Sequence, residues 1–184
     1  MILLIAGLFL IVLIHLLPAM PAIRSALVER LGEKTYLLLF SLVSVLAVVL
    51  LAAGMGRAEY IPLWGELPYG RDLSPLLMAA AVLLVTAAYV PNNLRRLIRN
   101  PMLWGVVLWA VAHLLVAGHL AALLLFGGIG GYALYAIFFR GGRRHWQSAE
   151  PRPWPLDLLT VVLAAIIYGA LLWLHPRLFG PAII

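Results

Sequence analysis

Residues 101–139 read PMLWGVVLWAVAHLLVAGHLAALLLFGGIGGYALYAIFF, without one Asp, Glu, Lys or Arg. A helix crossing the roughly 30 Å hydrocarbon core of a bilayer needs about 20 residues. This stretch is too long for one crossing, and Ala117-Gly118-His119 supplies the small residues of a tight turn. Two antiparallel helices are therefore expected, at 103–116 and 120–139. In the middle of its most apolar part, 103–126, sits His113, where an imidazole costs free energy unless a metal, a proton path or a polar partner uses it.

Composition agrees with the membrane reading. Hydrophobic residues make up 65% of the chain, charged residues 11%, and the mean hydropathy is +1.05. Soluble domains carry about 25% charged residues. The 184 residues are read as one domain, 1–184, an all-α polytopic bundle with no room for a soluble catalytic unit. The net charge of +6 does not indicate nucleic acid, because the arginines fall in short clusters between apolar runs, as they do beside a cytoplasmic leaflet. The absence of cysteine excludes disulfides, iron–sulfur ligation, a thiolate nucleophile and covalent haem attachment. A metal would be held by histidine or oxygen.

Four further apolar runs complete the count: 2–17, 35–55, 76–90 closed by Pro91-Asn92-Asn93, and 156–174. The first lacks a positive n-region and small residues before a cleavage point, so it reads as a retained helix. Six spans result. Their odd-numbered loops hold Arg24, Arg30 and Lys34, then Arg95, Arg96 and Arg99, then Arg140, Arg143, Arg144 and Arg152, ten of the 13 basic residues. Cytoplasmic loops are enriched in Lys and Arg, so both termini are expected outside. Reading 103–139 as one helix would export the Arg140 cluster. Gly127 and Gly131 form a Gly-x-x-x-Gly pair suited to close helix packing. Trp64, Tyr69, Trp146, Trp154 and Trp173 fall near span ends, where amphipathic rings anchor at the headgroups.

The five histidines divide by position. His145 lies in a basic loop, His175 at the outer end of the last span and His119 at the tight outer turn; the first two are expected to be interfacial. His15 and His113 lie inside apolar helices. His113 is ten residues past Leu103, about 15 Å from the cytoplasmic end, and His15 about 8 Å before Met20, deeper if the helix continues past Pro18. A lone intramembrane histidine is often a hydrogen-bonded packing residue. Two on separate helices, with no intramembrane carboxylate, favour a cofactor. Zinc wants four protein ligands, whereas haem b needs one or two axial imidazoles and an apolar slot. Its propionates want cations, which Arg95, Arg96, Arg99, Arg24 and Arg30 supply. A proton relay would string carboxylates along the helices, and a transporter would show repeats and broken helices; neither pattern is present in the sequence.

Several strings extend this picture. His15 late in the first helix, Leu31-Gly32-Glu33 before a helix with Ser41-Leu42-Val43-Ser44, Ala88-Tyr89-Val90-Pro91-Asn92, Arg99-Asn100-Pro101-Met102-Leu103, Trp109-Ala110-Val111-Ala112-His113-Leu114-Leu115 and Leu124-Leu125-Phe126-Gly127 together resemble the NnrU family over most of the chain. That resemblance implies a protein of the bacterial cytoplasmic membrane associated with expression or maturation of nitrite and nitric oxide reductases in denitrification. A relative of the family, 15-cis-ζ-carotene isomerase, is a haem b protein that isomerises a cis double bond without net redox change. By position the resemblance implies His15 and His113 as iron ligands, with Asn100 in the adjoining turn beside Arg99. Two features depart from the isomerase: Arg99-Asn100-Pro101 lacks a histidine that its turn carries, and Ala110 stands where it has a cysteine proposed as alternative ligand. His119 is the remaining candidate for a ligand switch.

Three functions are therefore distinguished: a haem b accessory, sensor or haem-handling protein of nitrogen-oxide respiration, with nitric oxide as a small-molecule partner; a haem-dependent isomerase of a hydrophobic polyene; and a cofactor-free helical bundle. Beyond the lipid bilayer and haem, no protein partner or oligomeric state is read from the sequence.

Overall fold

A computed structural model describes residues 1–140, excluding the Arg140 side chain, and residues 150–178. The described residues form eight helices: α1 (Ile2–Leu16), α2 (Pro21–Leu31), α3 (Glu33–Gly56), α4 (Gly70–Tyr89), α5 (Leu94–Leu97), α6 (Pro101–Val116), α7 (Leu120–Phe139) and α8 (Trp154–Leu178). The first continues as a 3₁₀ turn, Leu17–Ala19. Five spans, Ile2–Ala19, α3, α4, α7 and α8, are long and apolar enough to cross a membrane, and α6 is a shorter apolar helix of 16 residues. The protein is a multi-pass helical membrane protein. The long apolar stretch divides at residues 117–119, as its length requires. Arg143, Arg144, His145 and Trp146 lie outside the described residues.

The distribution of side chains is that of a lipid-solvated bundle. Large aliphatics such as Leu38, Leu42, Val45, Val48 and Val49 on α3 are more than half exposed, while the buried positions are largely alanine: Ala47, Ala81, Ala87, Ala110, Ala112, Ala121, Ala122 and Ala133. Lipid removes the incentive to bury bulk, so small residues that let backbones approach define the interfaces. A Cβ on Gly54 would meet the Leu4 backbone, one on Gly7 would come 2.8 Å from Leu51 N, and one on Gly105 would come 2.8 Å from Ala81 O. These three glycines set the antiparallel α1–α3 and α4–α6 pairs. On α7 the close approaches are at Gly128, against Leu8, and Gly130, 2.7 Å from the Ala110 Cβ. Gly127 meets only its own helix and Gly131 nothing, so the Gly-x-x-x-Gly pair read from the sequence is not the packing face.

Helix boundaries depart from the sequence reading where polar residues enter a helix. α4 begins six residues earlier than its apolar run because Arg71 and Asp72 occupy its first turn. The first basic loop contains α2, largely exposed, with Pro21 at its start. Pro fits a helix's first turn because its missing N–H would be unpaired there. Residues 61–67 fold back over the α6–α7 turn: Leu63 N and Trp64 N donate to Gly118 O (2.8 and 3.0 Å), Leu67 N to Leu115 O (3.2 Å), and the Trp64 indole to Leu114 O (3.3 Å). This strap satisfies carbonyls that the end of a helix leaves without intrahelical partners.

Candidate functional site

The antiparallel contacts sort the helix termini into two ends. One carries the C-termini of α1, α4 and α7 and the N-termini of α3, α6 and α8, and with them Arg24, Arg30, Lys34, Arg95, Arg96, Arg99 and Arg152. The other carries the strap, the α6–α7 turn, Arg57, Arg71 and Arg177. The sequence-derived site residues are divided between these ends.

His113 belongs to the strap end. It lies twelve residues into α6, about 18 Å along the axis, and is 7% exposed. Its Nδ1 is 2.8 Å from Trp109 O. A carbonyl only accepts, so in the neutral ring Nδ1 holds the proton and Nε2 keeps the lone pair, the tautomer that suits a metal-ligating imidazole. Aromatic rings enclose it. Phe126 stacks on the imidazole with centroids 4.3 Å apart, Trp109 lies at 5.2 Å, and His175 of α8 lies at 6.3 Å with planes inclined by 34°. Phe126 falls within a π turn, Leu123–Gly127. Such a turn inserts a residue into the helix and occurs often at functional sites.

His15 belongs to the arginine-rich end, one residue before the end of α1. Its Nδ1 is 2.8 Å from Ile11 O, and its ring meets Phe40 edge-on at 5.3 Å. The His15 carbonyl accepts from the Tyr132 hydroxyl at 2.9 Å. Tyr132 and Phe126 are six residues apart on α7, about 9 Å along the axis. The two histidines chosen from burial thus share one side-chain device and pack against one helix at different depths. The structure does not bring their rings together. His119, the candidate switch ligand, caps α7 instead, its Nδ1 accepting from Ala122 N at 3.3 Å.

The arginines and Asn100 also lie at the arginine-rich end. Arg24 is 4.0 Å from Glu33 and 5.8 Å over the Tyr36 ring. Arg30 is exposed in the last turn of α2. Arg95 and Arg96 ride on α5, where the Arg96 Nε is buried without a partner and Arg95 N donates to the Asn92 side chain at 3.2 Å. Arg99 and Asn100 line a cavity of about 560 Å³ walled by Leu84, Trp104, Leu108, Ile137 and Phe138. Asn100 has φ 58°, a left-handed conformation that Asn tolerates better than most residues. No histidine lines this cavity.

Two arrangements were not read from the sequence. Asn93 joins the α4–α6 connection to the start of α8: its backbone N–H and side-chain amide donate to Asp157 at 2.7 and 2.6 Å, and its side chain exchanges bonds with the Arg152 backbone. The other is His175 beside His113. The six-span topology contained the signal, since it placed the end of the fourth helix and the end of the last one at the same surface.

These features define a polytopic helical membrane protein with an imidazole pair in an aromatic, apolar setting near one face. The family model for NnrU protein matches residues 3–183, and the chain belongs to that family. No curated protein and no solved structure matches it.

Proposed function

We propose that the protein binds haem b in the bacterial cytoplasmic membrane and serves nitrite and nitric oxide respiration as an accessory, sensing or haem-handling factor, with His113 as an axial iron ligand. The supporting observation is the His113 environment: a buried imidazole locked through Nδ1 to Trp109 O and faced by aromatic rings. Its donor chemistry fits haem, which brings four nitrogens of its own and asks the protein for one or two imidazoles and an apolar slot. Bound haem would supply an iron centre able to take a diatomic ligand such as nitric oxide. The chain's own residues orient the imidazole, hold its proton at Nδ1 and exclude water.

The basic residues gathered at one end support an orientation with that end in the cytoplasm and both termini outside. In that orientation His113 lies toward the outer face and His15 toward the cytoplasmic one. Haem reconstitution of the detergent-purified protein tests the proposal. A Soret band that shifts on reduction and on adding nitric oxide, and that His113→Ala abolishes, is the expected result. A colourless wild type overturns it.

Membership of the NnrU family also supports a second reading, haem-dependent isomerisation of a polyene. Conversion of a cis polyene by reduced, haem-replete protein tests it, and failure under those conditions rejects it.

A further inference from the structure

We infer that the cavity between α4, α6 and α7 at the arginine-rich end binds an anionic phospholipid, with one acyl chain between the helices and the headgroup phosphate on the arginines of the α4–α6 connection. Two independent observations carry it. The first is the polarity of the cavity along the bundle axis. Arg99 and Asn100 line it beside the start of α6, and the remaining wall is apolar, with Trp104 and Leu108 on α6 facing Ile137 and Phe138 on α7. Leu108 lies seven residues beyond Pro101, about 10 Å along the axis. The apolar part therefore reaches through about two-thirds of one leaflet of a roughly 30 Å hydrocarbon core. Its walls open on the flank of the bundle, where Leu97 is 79% and Phe138 67% exposed, so a chain enters sideways from the lipid.

The second observation is charge. Arg95, Arg96 and Arg99 fall within five residues of sequence, and α5, which carries the first two, ends at Leu97 on the cavity wall. Neither Arg95 nor Arg96 has an ion-pair partner among the described residues. The Arg96 Nε is buried without an acceptor, a costly state for a guanidinium nitrogen that an anionic oxygen beside α5 would relieve. Asp157, which meets the same connection, already accepts from the backbone and side chain of Asn93. Phosphate oxygens match the fork of a guanidinium. A guanidinium has five N–H donors, so Arg99 can keep a bond within the protein and still face a headgroup. Basic pockets between membrane helices take anionic headgroups in this way. A free phosphate would use only the arginines, and a neutral lipid only the apolar trough; an anionic phospholipid uses both.

Native mass spectrometry of the full chain with mixed phosphatidylglycerol and phosphatidylcholine tests the site. Wild type is expected to retain one phosphatidylglycerol in preference to phosphatidylcholine. Arg96→Gln and Arg99→Gln should each weaken retention by about fivefold, while Arg57→Gln, at the strap end, should leave it unchanged. Leu108→Trp, which fills the trough, should release the lipid with the arginines intact. A phosphatidylglycerol carrying a diazirine on its acyl chain should label wild type at residues 104–108 and 137–138, in competition with unlabelled phosphatidylglycerol but not phosphatidylcholine. This arm uses no variant and so does not depend on a substituted chain folding. Equal retention of the two lipids, or labelling spread over the exposed faces of α3 and α8, overturns the inference. Competition by inorganic phosphate alone, or by haem, also overturns it, in favour of a bare-anion site or a propionate site. Lipid retention is read in the haem-free chain, so its failure leaves the haem reading standing, and a colourless protein that keeps phosphatidylglycerol overturns the haem reading alone.

Discussion

The two ends of the bundle use the same side-chain device for different results. At the arginine-rich end His15 turns Nδ1 to the carbonyl four residues back, as His113 does at the strap end. His15 then meets Phe40 edge-on, half-buried, near the helix that carries the Arg24–Glu33 contact. His113 is buried, stacked on Phe126 and beside a second imidazole. An intrahelical bond therefore satisfies one ring nitrogen wherever a histidine enters an apolar helix, and by itself marks no site. What distinguishes the strap end is the second imidazole and the rings that exclude water around the first.

The largest effect is expected from exchanging the two histidines' roles in experiment. His113→Ala should remove haem binding altogether, and His15→Ala should leave the Soret band and spin state intact, as read by parallel titration of both variants with haem. Equal loss in the two variants would erase the contrast between the ends.

The next effect concerns how the strap end is built. A Cβ on Gly118 would overlap the Trp64 carbonyl oxygen and come 2.6 Å from its ring, so Gly118→Ala must displace either the strap or the turn. Overpacking of this kind costs about 1–3 kcal/mol, and the variant should melt earlier in detergent with new proteolysis between residues 57 and 69. Trp64→Phe keeps the ring and loses the 3.3 Å bond to Leu114 O, for about 0.5–1.5 kcal/mol. Because that bond caps the helix carrying His113, Trp64→Phe should also broaden the haem spectrum, whereas Asn93→Ala at the other end should only speed amide exchange near residues 152–157.

Much of this contrast was legible in the sequence, and the missing parts have identifiable physical causes. Apolar run lengths and arginine clusters gave the division at residues 117–119, because bilayer thickness and helix rise leave few ways to fold an uncharged stretch of that length. Burial singled out His113 for the same reason. His175 was passed over because it sits near a helix end, where a histidine ordinarily faces headgroups; only the packing of α8 along α4, the partner of α6, brings its ring to 6.3 Å from that of His113. His15 and His113 looked comparable in depth from approximate boundaries. The structure starts α6 at Pro101 and ends α1 at Leu16, and both shifts move the two residues apart. The strap was not recognisable because most of its bonds are made by backbone groups, which carry no residue signature, and its side-chain bond comes from Trp64, which reads as a headgroup anchor.

The smallest predicted effect bears on α7, the helix that runs between the two ends and sets the spacing of their histidines. Gly130→Ala would bring a Cβ to 2.7 Å from that of Ala110, pushing α7 from α6 just one turn from His113, and should destabilise the fold and perturb the haem spectrum together. Gly131→Ala, one residue on, meets nothing within 4 Å. Its expected change lies within about 0.5 kcal/mol, as for surface substitutions generally, and leans toward stabilisation because glycine is a poorer helix former than alanine. Thermal unfolding of the two variants side by side compares them. If Gly131→Ala were the more damaging, the helix would be rotated from the face described here, and the π turn that presents Phe126 to His113 would have to be placed differently.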